Sequence, residues 1–245
     1  MLLTIEKDQD RLIYQASQHG ISMSKKYICI MFAQTQDETV SVRDERKNFV
    51  RSFLDSAVSN FGRIAFLDEN RGIILWDAQE GDKYDLEYFS RILEEFRIKV
   101  KAKCKDVELE FAVCRDEINL LSLKDGVKKC QKVMAMGKKL FPQDHIWDYG
   151  MLGPYAWIDI QEDELEAMLS EYRLLLQDEK NREPLKTLKV YLENNMNFSV
   201  TAEKMYVHIN TIRKRIDKMK ELLDLSLDDR IARLKLEMLL QFLNL

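Results

Sequence analysis

The feature that most constrains this 245-residue chain is a set of three short helical patterns, close together between residues 184 and 223. Pro184 suits the first turn of a helix, where its missing N–H costs nothing. Apolar residues then continue at helical spacing, namely Leu185, Leu188 and Leu192. The run Asn194–Asn197 interrupts this pattern with residues that favour turns. We therefore expect a helix over 185–194 that ends in a tight turn.

Two shorter helices are predicted directly after that turn. Ser199 is a suitable cap for a helix over 200–206, and a third helix opens at Asn210 or Thr211 and runs to about Leu223. The apolar residues of the third helix form one stripe, made of Ile212, Ile216, Met219 and Leu223. This order of helices and turns predicts a helix-turn-helix, the unit that places one short helix in the major groove of DNA.

The third helix has a polar face opposite its apolar stripe. The outward residues are Asn210, Arg213, Lys214 and Asp217. Asparagine can pair with adenine, and arginine or lysine can pair with guanine. Asn210, Arg213 and Lys214 are therefore the predicted base-reading residues.

Residues beside that face are expected at the DNA backbone. The predicted phosphate contacts are Thr201, Thr211 and Lys218. His208 and Arg215 lie at the flank of the stripe, where they serve either a structural or a phosphate-binding role. A charged helix face is also common in ordinary three-helix subdomains, so charge alone leaves that alternative open.

The segment Leu185–Leu243 resembles the C-terminal DNA-binding domain of PucR/CdaR-type bacterial transcription regulators. The matching residues are Thr187-Leu188, Tyr191-Leu192, Thr201-Ala202, the pattern Val207-His208-x-Asn210-Thr211-x-x-x-Arg215, and the late helix Asp228–Leu243. Ile209 stands where most members carry a basic or polar residue. The resemblance implies double-stranded operator DNA as the partner. It also implies a set of DNA-binding residues: Thr201, His208, Ile209, Asn210, Thr211, Arg213, Lys214, Arg215 and Lys218.

The residues before this segment alternate between strand and helix patterns. The expected elements are a helix over 5–19, a buried strand over 27–33, a helix over 44–60, hairpin strands over 63–67 and 72–76, a helix over 86–102, a strand over 108–114, a helix over 125–139 and an edge strand over 145–149. The β-α-β-β-α-β order with an added helix predicts an α+β, ferredoxin-like domain. Its helices are expected on one face of a mixed sheet.

This domain resembles the degenerate GGDEF-like domain that precedes the DNA-binding domain in PucR/CdaR-type regulators. The local matches are Gly20-Ile21 before the first strand, and Tyr149-Gly150 with Leu152-Gly153 at the domain's end. Catalytic GGDEF domains need a glycine pair and an acidic metal ligand in their hairpin. Here Asp68 and Glu69 are acidic, but no glycine pair precedes them, so we expect no enzyme activity. Binding of a nucleotide or another small-molecule effector without turnover stays open.

The polar run Asp178–Glu183 is the clearest candidate linker. The expected organisation is an N-terminal helix over 1–20, a GGDEF-like domain over 21–160, a connecting helix and linker over 161–183, and a helix-turn-helix domain over 184–245. The resemblance also implies that the upstream ligand-recognition domain of many such regulators is missing. The last helix carries more apolar residues than one stripe needs, which makes it a candidate dimer contact.

Composition argues against several other classes of protein. The four cysteines form no Cys-x-x-Cys pair and only three histidines accompany them, so no metal site, disulfide scaffold or cofactor is expected. No apolar run reaches the roughly 18 residues of a membrane span, and the first residues lack a signal-peptide core. We therefore expect a cytoplasmic protein without a membrane partner.

The charge is unevenly distributed along the chain. Residues 185–224 carry eight Lys/Arg against five Asp/Glu, whereas the whole chain has a formal charge of −4. A basic module on an acidic body suits a protein that binds nucleic acid through that module. Because so modest an excess makes few phosphate contacts, a homodimer is expected.

These expectations describe a sequence-specific, dimeric transcription regulator of the PucR/CdaR type that controls a catabolic operon. Two other classes remain open. One is a non-catalytic regulator that senses a nucleotide or another small ligand. The other is a protein-interaction adaptor whose basic helix binds an acidic partner.

Overall fold

The computed structural model describes residues 20–22, 24–36, 43–79, 83–224, 226–243 and 245. The chain divides into two compact units between Ile158 and Asp159, which we call the sheet unit and the helical unit. The helix predicted over 5–19 lies outside the described residues. The domain boundaries proposed from the sequence stay predictions.

A five-stranded mixed sheet organises the sheet unit. Its strands are β1 (Lys26–Gln36), β2 (Gly62–Phe66), β3 (Arg71–Ala78), β4 (Val107–Ile118) and β5 (Ile146–Asp148). Their spatial order is β2-β3-β1-β4-β5. The pairs β2–β3, β3–β1 and β1–β4 are antiparallel, and the pair β4–β5 is parallel. The predicted strands, the hairpin and the edge strand are therefore confirmed.

In the part of the chain that the structure describes, three helices cover this sheet, namely α1 (Arg43–Val58), α2 (Leu86–Lys103) and α3 (Leu123–Leu140). Helices α1 and α2 share one core with alternate residues of β1 and β4; its members include Ile28, Ile30, Phe32, Val50, Leu54, Leu93, Phe96, Leu109, Phe111 and Val113. Helix α3 packs on the other face, where the Cys130 thiol donates to the Cys29 carbonyl at 3.2 Å. The expectation of helices on one face is wrong for α3, because β1 and β4 bury apolar residues on both faces.

The β2–β3 hairpin is closed by its own turn residues. One Asp68 carboxylate oxygen accepts the backbone N–H groups of Asn70 and Arg71, both at 2.8 Å. The other oxygen accepts the Arg71 Nε at 2.7 Å. Gly72 follows directly, and a methyl group there would lie 2.4 Å from ring carbons of Phe32. Only glycine fits at that position, because the ring of Phe32, the residue paired with Gly72 across β1 and β3, occupies the space of a side chain.

The described residues of the helical unit form five helices: α4 (Glu162–Leu176), α5 (Glu179–Glu193), α6 (Phe198–Lys204), α7 (Ile209–Leu222) and α8 (Arg230–Gln241). Helix α7 packs against α5 and α6, and α8 packs against α5. Their common core includes Leu185, Leu188, Leu192, Ile212, Ile216, Met219, Leu236, Leu239 and Leu240. The apolar periodicity read from the sequence therefore corresponds to a buried core.

The beginning of α5 differs from the prediction. Pro184 was expected in the first helical turn, but α5 already begins at Glu179, and Asp178 caps it by accepting the Lys180 N–H at 3.0 Å. The polar run 178–183 is thus mostly helix. Pro184 has no N–H to donate to the Lys180 carbonyl one turn earlier. Lys218 Nζ on α7 donates to that carbonyl at 3.3 Å, which helps the helix to tolerate the proline.

Candidate nucleic-acid interface

Helix α6 begins two residues earlier than the sequence predicted. The Asn197 side chain accepts the N–H groups of Ser199 and Val200 at 3.0 and 3.1 Å, so Asn197 is the cap and the expected cap at Ser199 is wrong. Asparagine is among the strongest capping residues, and the side-chain Oδ1 of Asn197 accepts hydrogen bonds from two otherwise unpaired N–H groups here. Thr201 in the next turn is fully buried, and its hydroxyl donates to the Asn197 carbonyl at 2.7 Å. The Thr201 side chain therefore does not lie on the exposed surface.

The turn between α6 and α7 is formed by Tyr206 and Val207. Tyr206 has a φ of 55°, in the left-handed region that glycine adopts with least strain. Its side chain is 94% exposed. The Val207 N–H donates to the Ala202 carbonyl at 3.1 Å and closes the turn. A bulky aromatic residue is thus held in a strained backbone conformation at the entrance to α7.

His208 caps helix α7. Its Nδ1 accepts the Asn210 N–H at 3.2 Å, and the helix begins at Ile209, just before the predicted start at Asn210 or Thr211. An imidazole that accepts at Nδ1 carries its proton on Nε2 when neutral. The sequence placed His208 on a flank with a structural or phosphate role, and the structure shows its side chain as the cap of α7.

Helix α7 has one fully buried face and one exposed face. Ile212, Ile216 and Met219 have no solvent exposure, and Leu223 is buried just beyond the helix end, as the periodicity predicted. The opposite face exposes the residues expected there, Asn210, Arg213, Lys214 and Asp217. Ile209 and Thr211 are half-buried at its N-terminal edge. The helix therefore offers a compact polar face on a rigid support.

Arg213 is in contact with an aromatic ring. Its guanidinium carbon lies 4.6 Å from the centroid of the Phe198 ring. The Phe198 ring in turn lies 4.6 Å from the ring of Tyr191, with 35° between their planes. Burial raises the pKa of Tyr191, and the nearby Arg213 charge opposes that shift. The sequence did not predict this contact, because Tyr191 and Phe198 lie on different helices and their spacing of seven residues spans a turn.

Arg215 and Lys218 are tied to α5. Arg215 Nη1 lies 3.2 Å from the Thr187 hydroxyl and 3.2 Å from a Glu183 carboxylate oxygen. Lys218, as described above, donates to a backbone carbonyl of the same helix. Because these bonds join the two helices, both residues help to orient α7. The structural part of the role predicted for Arg215 is thereby supported.

The described residues contain neither a three-ligand metal cluster nor a membrane-spanning helix. Within them, no group of three or more His, Cys, Asp or Glu side chains is placed to hold a metal. None of the helices in that part of the chain is both long enough and apolar enough to cross a membrane.

A buried three-helix core with a short turn before an exposed basic helix defines the class: the helical unit contains a helix-turn-helix. Residues 185–242 match the PucR C-terminal helix-turn-helix domain. Together with the relatives below, this match confirms the resemblance to PucR/CdaR-type regulators.

Three relatives from Bacillus subtilis (strain 168) are similar to this chain. The uncharacterized protein YxkF is 29% identical over 178 residues, which cover 70% of this chain and 57% of that protein. The purine catabolism regulatory protein is 27% identical over 246 residues, covering 96% and 46%. The proline-responsive transcriptional activator PutR is 29% identical over 124 residues, covering 48% and 30%. The chain therefore spans between about a third and somewhat over half of the length of these relatives.

Proposed function

We propose that this protein is a sequence-specific DNA-binding transcription regulator. In this proposal, α7 enters the major groove, and Asn210, Arg213 and Lys214 read base edges. The observation that carries the proposal is the two-sided character of α7, whose apolar residues are fully buried while these three polar residues are exposed. Such a helix presents a rigid hydrogen-bonding face of the kind that major-groove readout requires.

The residues around this face are assigned to the DNA backbone. Thr211, Lys218 and Arg215 lie beside the base-reading face, and His208 holds its N-terminal end. Basic and hydroxyl side chains in this position fix the register of a helix on the duplex without reading sequence. Thr201 contributes through the packing of α6, because its hydroxyl is buried and bonded to Asn197.

A homodimer is the proposed binding form. Helix α8 exposes two large apolar side chains one turn apart, Ile231 at 73% and Leu234 at 51%. A second copy would cover these side chains and would supply a second α7. Two recognition helices one duplex turn apart predict an operator with two-fold symmetry.

The regulated genes are proposed to form a catabolic operon in the cytoplasm of a bacterium. The names of two relatives support this assignment, since one is a purine catabolism regulatory protein and the other a proline-responsive activator. Neither name chooses the pathway for this chain. Activation and repression are equally compatible with the helix-turn-helix.

We further propose that the sheet unit is a non-catalytic, ferredoxin-like domain of the degenerate GGDEF type. The antiparallel order β2-β3-β1-β4 supports the ferredoxin-like plan. In the hairpin, desolvation by burial raises the pKa of Asp68. Hydrogen bonds from Asn70 and Arg71 outweigh this effect, so the pKa is lowered overall. Its carboxylate thus has partners within its own turn, which supports a structural rather than a metal-binding role.

A groove in the sheet unit supports ligand sensing as a second candidate function. It has a volume of about 940 Å³ and lies between α2 and the segment before β5, with Arg91, Arg97 and His145 among its lining residues. Small-molecule sites commonly have volumes of this order. Thermal unfolding with GTP or cyclic dinucleotides would test this function, and an unchanged Tm across these nucleotides would count against nucleotide sensing.

The experiment for the main proposal is a fluorescence-anisotropy titration with DNA fragments that flank the protein's own gene. Scrambled competitor DNA and several salt concentrations are included. We expect binding that survives the competitor and is lost or strongly reduced in Arg213→Ala. Binding that the competitor abolishes, or no binding, would contradict specific recognition and would favour the adaptor alternative.

A further inference from the structure

Three side chains from three helices form a stack that links the base-reading face to the buried core. Tyr191 is buried on α5, Phe198 begins α6, and Arg213 is exposed on α7. The Phe198 ring is the middle member, at 4.6 Å from both the Tyr191 ring and the Arg213 guanidinium. The stack therefore connects a solvent-exposed cation with the buried core of the unit.

We propose that Phe198 is the positioning residue for base readout, because its ring face holds the Arg213 guanidinium in one orientation before DNA binds. This inference rests on the proposed function and deepens it, since it names what fixes the recognition side chain. Phe198 acts through Arg213 and contacts no base itself.

The physical reason lies in the rotamer freedom of arginine. A long, exposed side chain samples many conformations, and binding must select one of them at a cost in entropy. The face of an aromatic ring attracts a guanidinium within about 6 Å of its centroid, and a planar guanidinium can stack on it. A side chain held in this way has lost part of its freedom before the complex forms.

The ring itself is held in place from two sides. Tyr191 supports it from the core, and the Asn197 cap fixes the first turn of α6 directly before it. By contrast, no aromatic ring among the described residues lies over Lys214, the neighbouring base-reading candidate. The structure thus distinguishes one positioned cation from one unpositioned cation on the same helix face.

The stack also leaves the N–H groups of Arg213 available for a base. Asp217 is one turn along α7, yet within the described part of the chain it forms no ion pair with Arg213. The ring occupies the guanidinium face, whereas bidentate pairing with guanine uses its edge. Positioning and base contact are therefore compatible.

The test compares Phe198→Leu with Phe198→Tyr in the full-length chain. Leucine keeps an apolar side chain but removes the ring face, whereas tyrosine keeps the ring. Anisotropy titrations use the operator, single-base variants of it and scrambled DNA. For Phe198→Leu we expect a roughly 2- to 5-fold loss of affinity for the operator. We also expect relaxed preference at the base pair that Arg213→Ala relaxes, and unchanged affinity for scrambled DNA.

Three controls separate positioning from folding. Phe198→Tyr should restore the affinity for the operator. Val200→Ala, an exposed apolar change on the same short helix, should leave the affinity unchanged. In the Arg213→Ala background, Phe198→Leu should cause no further loss, because the residue that it positions is gone. In the free protein, ¹⁵N relaxation of the Arg213 Nε should show greater mobility in Phe198→Leu.

The outcomes distinguish this inference from the proposed function. If Arg213→Ala weakens operator binding but Phe198→Leu leaves both the affinity and the Arg213 mobility unchanged, only the positioning role is overturned. A gain in affinity, or an equal loss in the Arg213→Ala background, would overturn it as well. Absence of specific DNA binding by the wild-type chain would overturn both.

Discussion

Two arginines of the sheet unit differ from one arginine of the helical unit in what their side chains contact. In the sheet unit, Arg97 donates to the Leu109 carbonyl at 3.0 Å and to Glu94 at 2.6 Å. Arg115 is paired with the buried carboxylate of Asp148. In the helical unit, Arg213 is exposed and lies over an aromatic ring. The first two arginines connect parts of the fold, whereas the third faces solvent.

The same contrast occurs within a single helix. Arg215 is two positions after Arg213 on α7, yet it is bonded to Glu183 and Thr187 on α5. Both residues belong to the basic run that first suggested DNA binding. The comparison teaches that residue type does not separate an exposed arginine from one that is bonded to another helix of the fold. What separates the two arginines is the partner that each side chain meets, and that partner lies on another helix.

The largest expected effect comes from the core of the sheet unit. Phe111→Ala removes a fully buried ring and should lower the free energy of unfolding by about 3–5 kcal/mol. Urea denaturation followed by circular dichroism measures this loss. Ile98→Ala on α2 is the control, because Ile98 is largely exposed and its truncation should cost less than about 0.5 kcal/mol. A loss below about 1 kcal/mol in Phe111→Ala would contradict the packing described here.

The comparison between Arg213 and Arg215 can be tested directly. Arg213→Ala should lower the affinity for the operator by about 1–3 kcal/mol and relax one base position, with unchanged stability. Arg215→Ala should lower the free energy of unfolding by about 0.5–1.5 kcal/mol, because the Thr187 hydroxyl loses a partner. Anisotropy and urea denaturation of both variants decide the point. Relaxed base preference in Arg215→Ala alone would reverse the assignment.

Lys218 combines features of Arg213 and Arg215, since it donates to a carbonyl of α5 and is also proposed to contact a phosphate. Lys218→Ala should weaken binding to all DNA sequences alike and reduce the salt slope of log K by about 1. Titrations at several NaCl concentrations measure that slope. Lys220→Ala, an exposed change two residues later, serves as the matched control. A loss confined to the operator would argue for base readout by Lys218 instead.

The smallest expected effect concerns the strained turn at Tyr206. Tyr206→Gly relieves a left-handed φ that costs a non-glycine residue about 1–2 kcal/mol, but it adds freedom to the unfolded chain. We expect a net gain of about 0.5 kcal/mol in the free energy of unfolding. Tyr206→Ala keeps the strain and should show no gain. If both variants lose stability, the exposed ring makes a stabilising contact, contrary to its 94% exposure.

Much of the fold was predictable because it depends on local periodicity. The stripe of Ile212, Ile216 and Met219 follows from apolar residues three to four apart, and β1 follows from a continuous apolar run bounded by polar segments. The β2–β3 hairpin follows from two short strand patterns around the turn residues Asp68–Arg71. The period of three to four gives α7 a single face to bury, whichever elements surround it. The short pattern around His208, Asn210 and Thr211 identified the helix-turn-helix for the same local reason.

Other features depend on residues that are distant in sequence. Helix α3 covers the second face of the sheet, where β1 and β4 also bury apolar residues. The continuous apolar run of β1 indicated burial, but it did not identify the helix that covers each face. The cap of α6 moved from Ser199 to Asn197, because both residues cap well and only the backbone path chooses between them. Sequence patterns do not choose between two such caps, since the difference between the capping energies is smaller than the packing energy that fixes the backbone path.

By itself, the sequence determined the order of strands and helices, the helix-turn-helix and the polar face of α7. The tertiary structure alone decided which polar residues of α7 are engaged by other helices. It brought Glu183 and Thr187 to Arg215, the Lys180 carbonyl beside Pro184 to Lys218, and Phe198 to Arg213. The physical reason is that periodicity is local in the chain. A partner for a long charged side chain is fixed only when helices some 15 to 40 residues apart pack together.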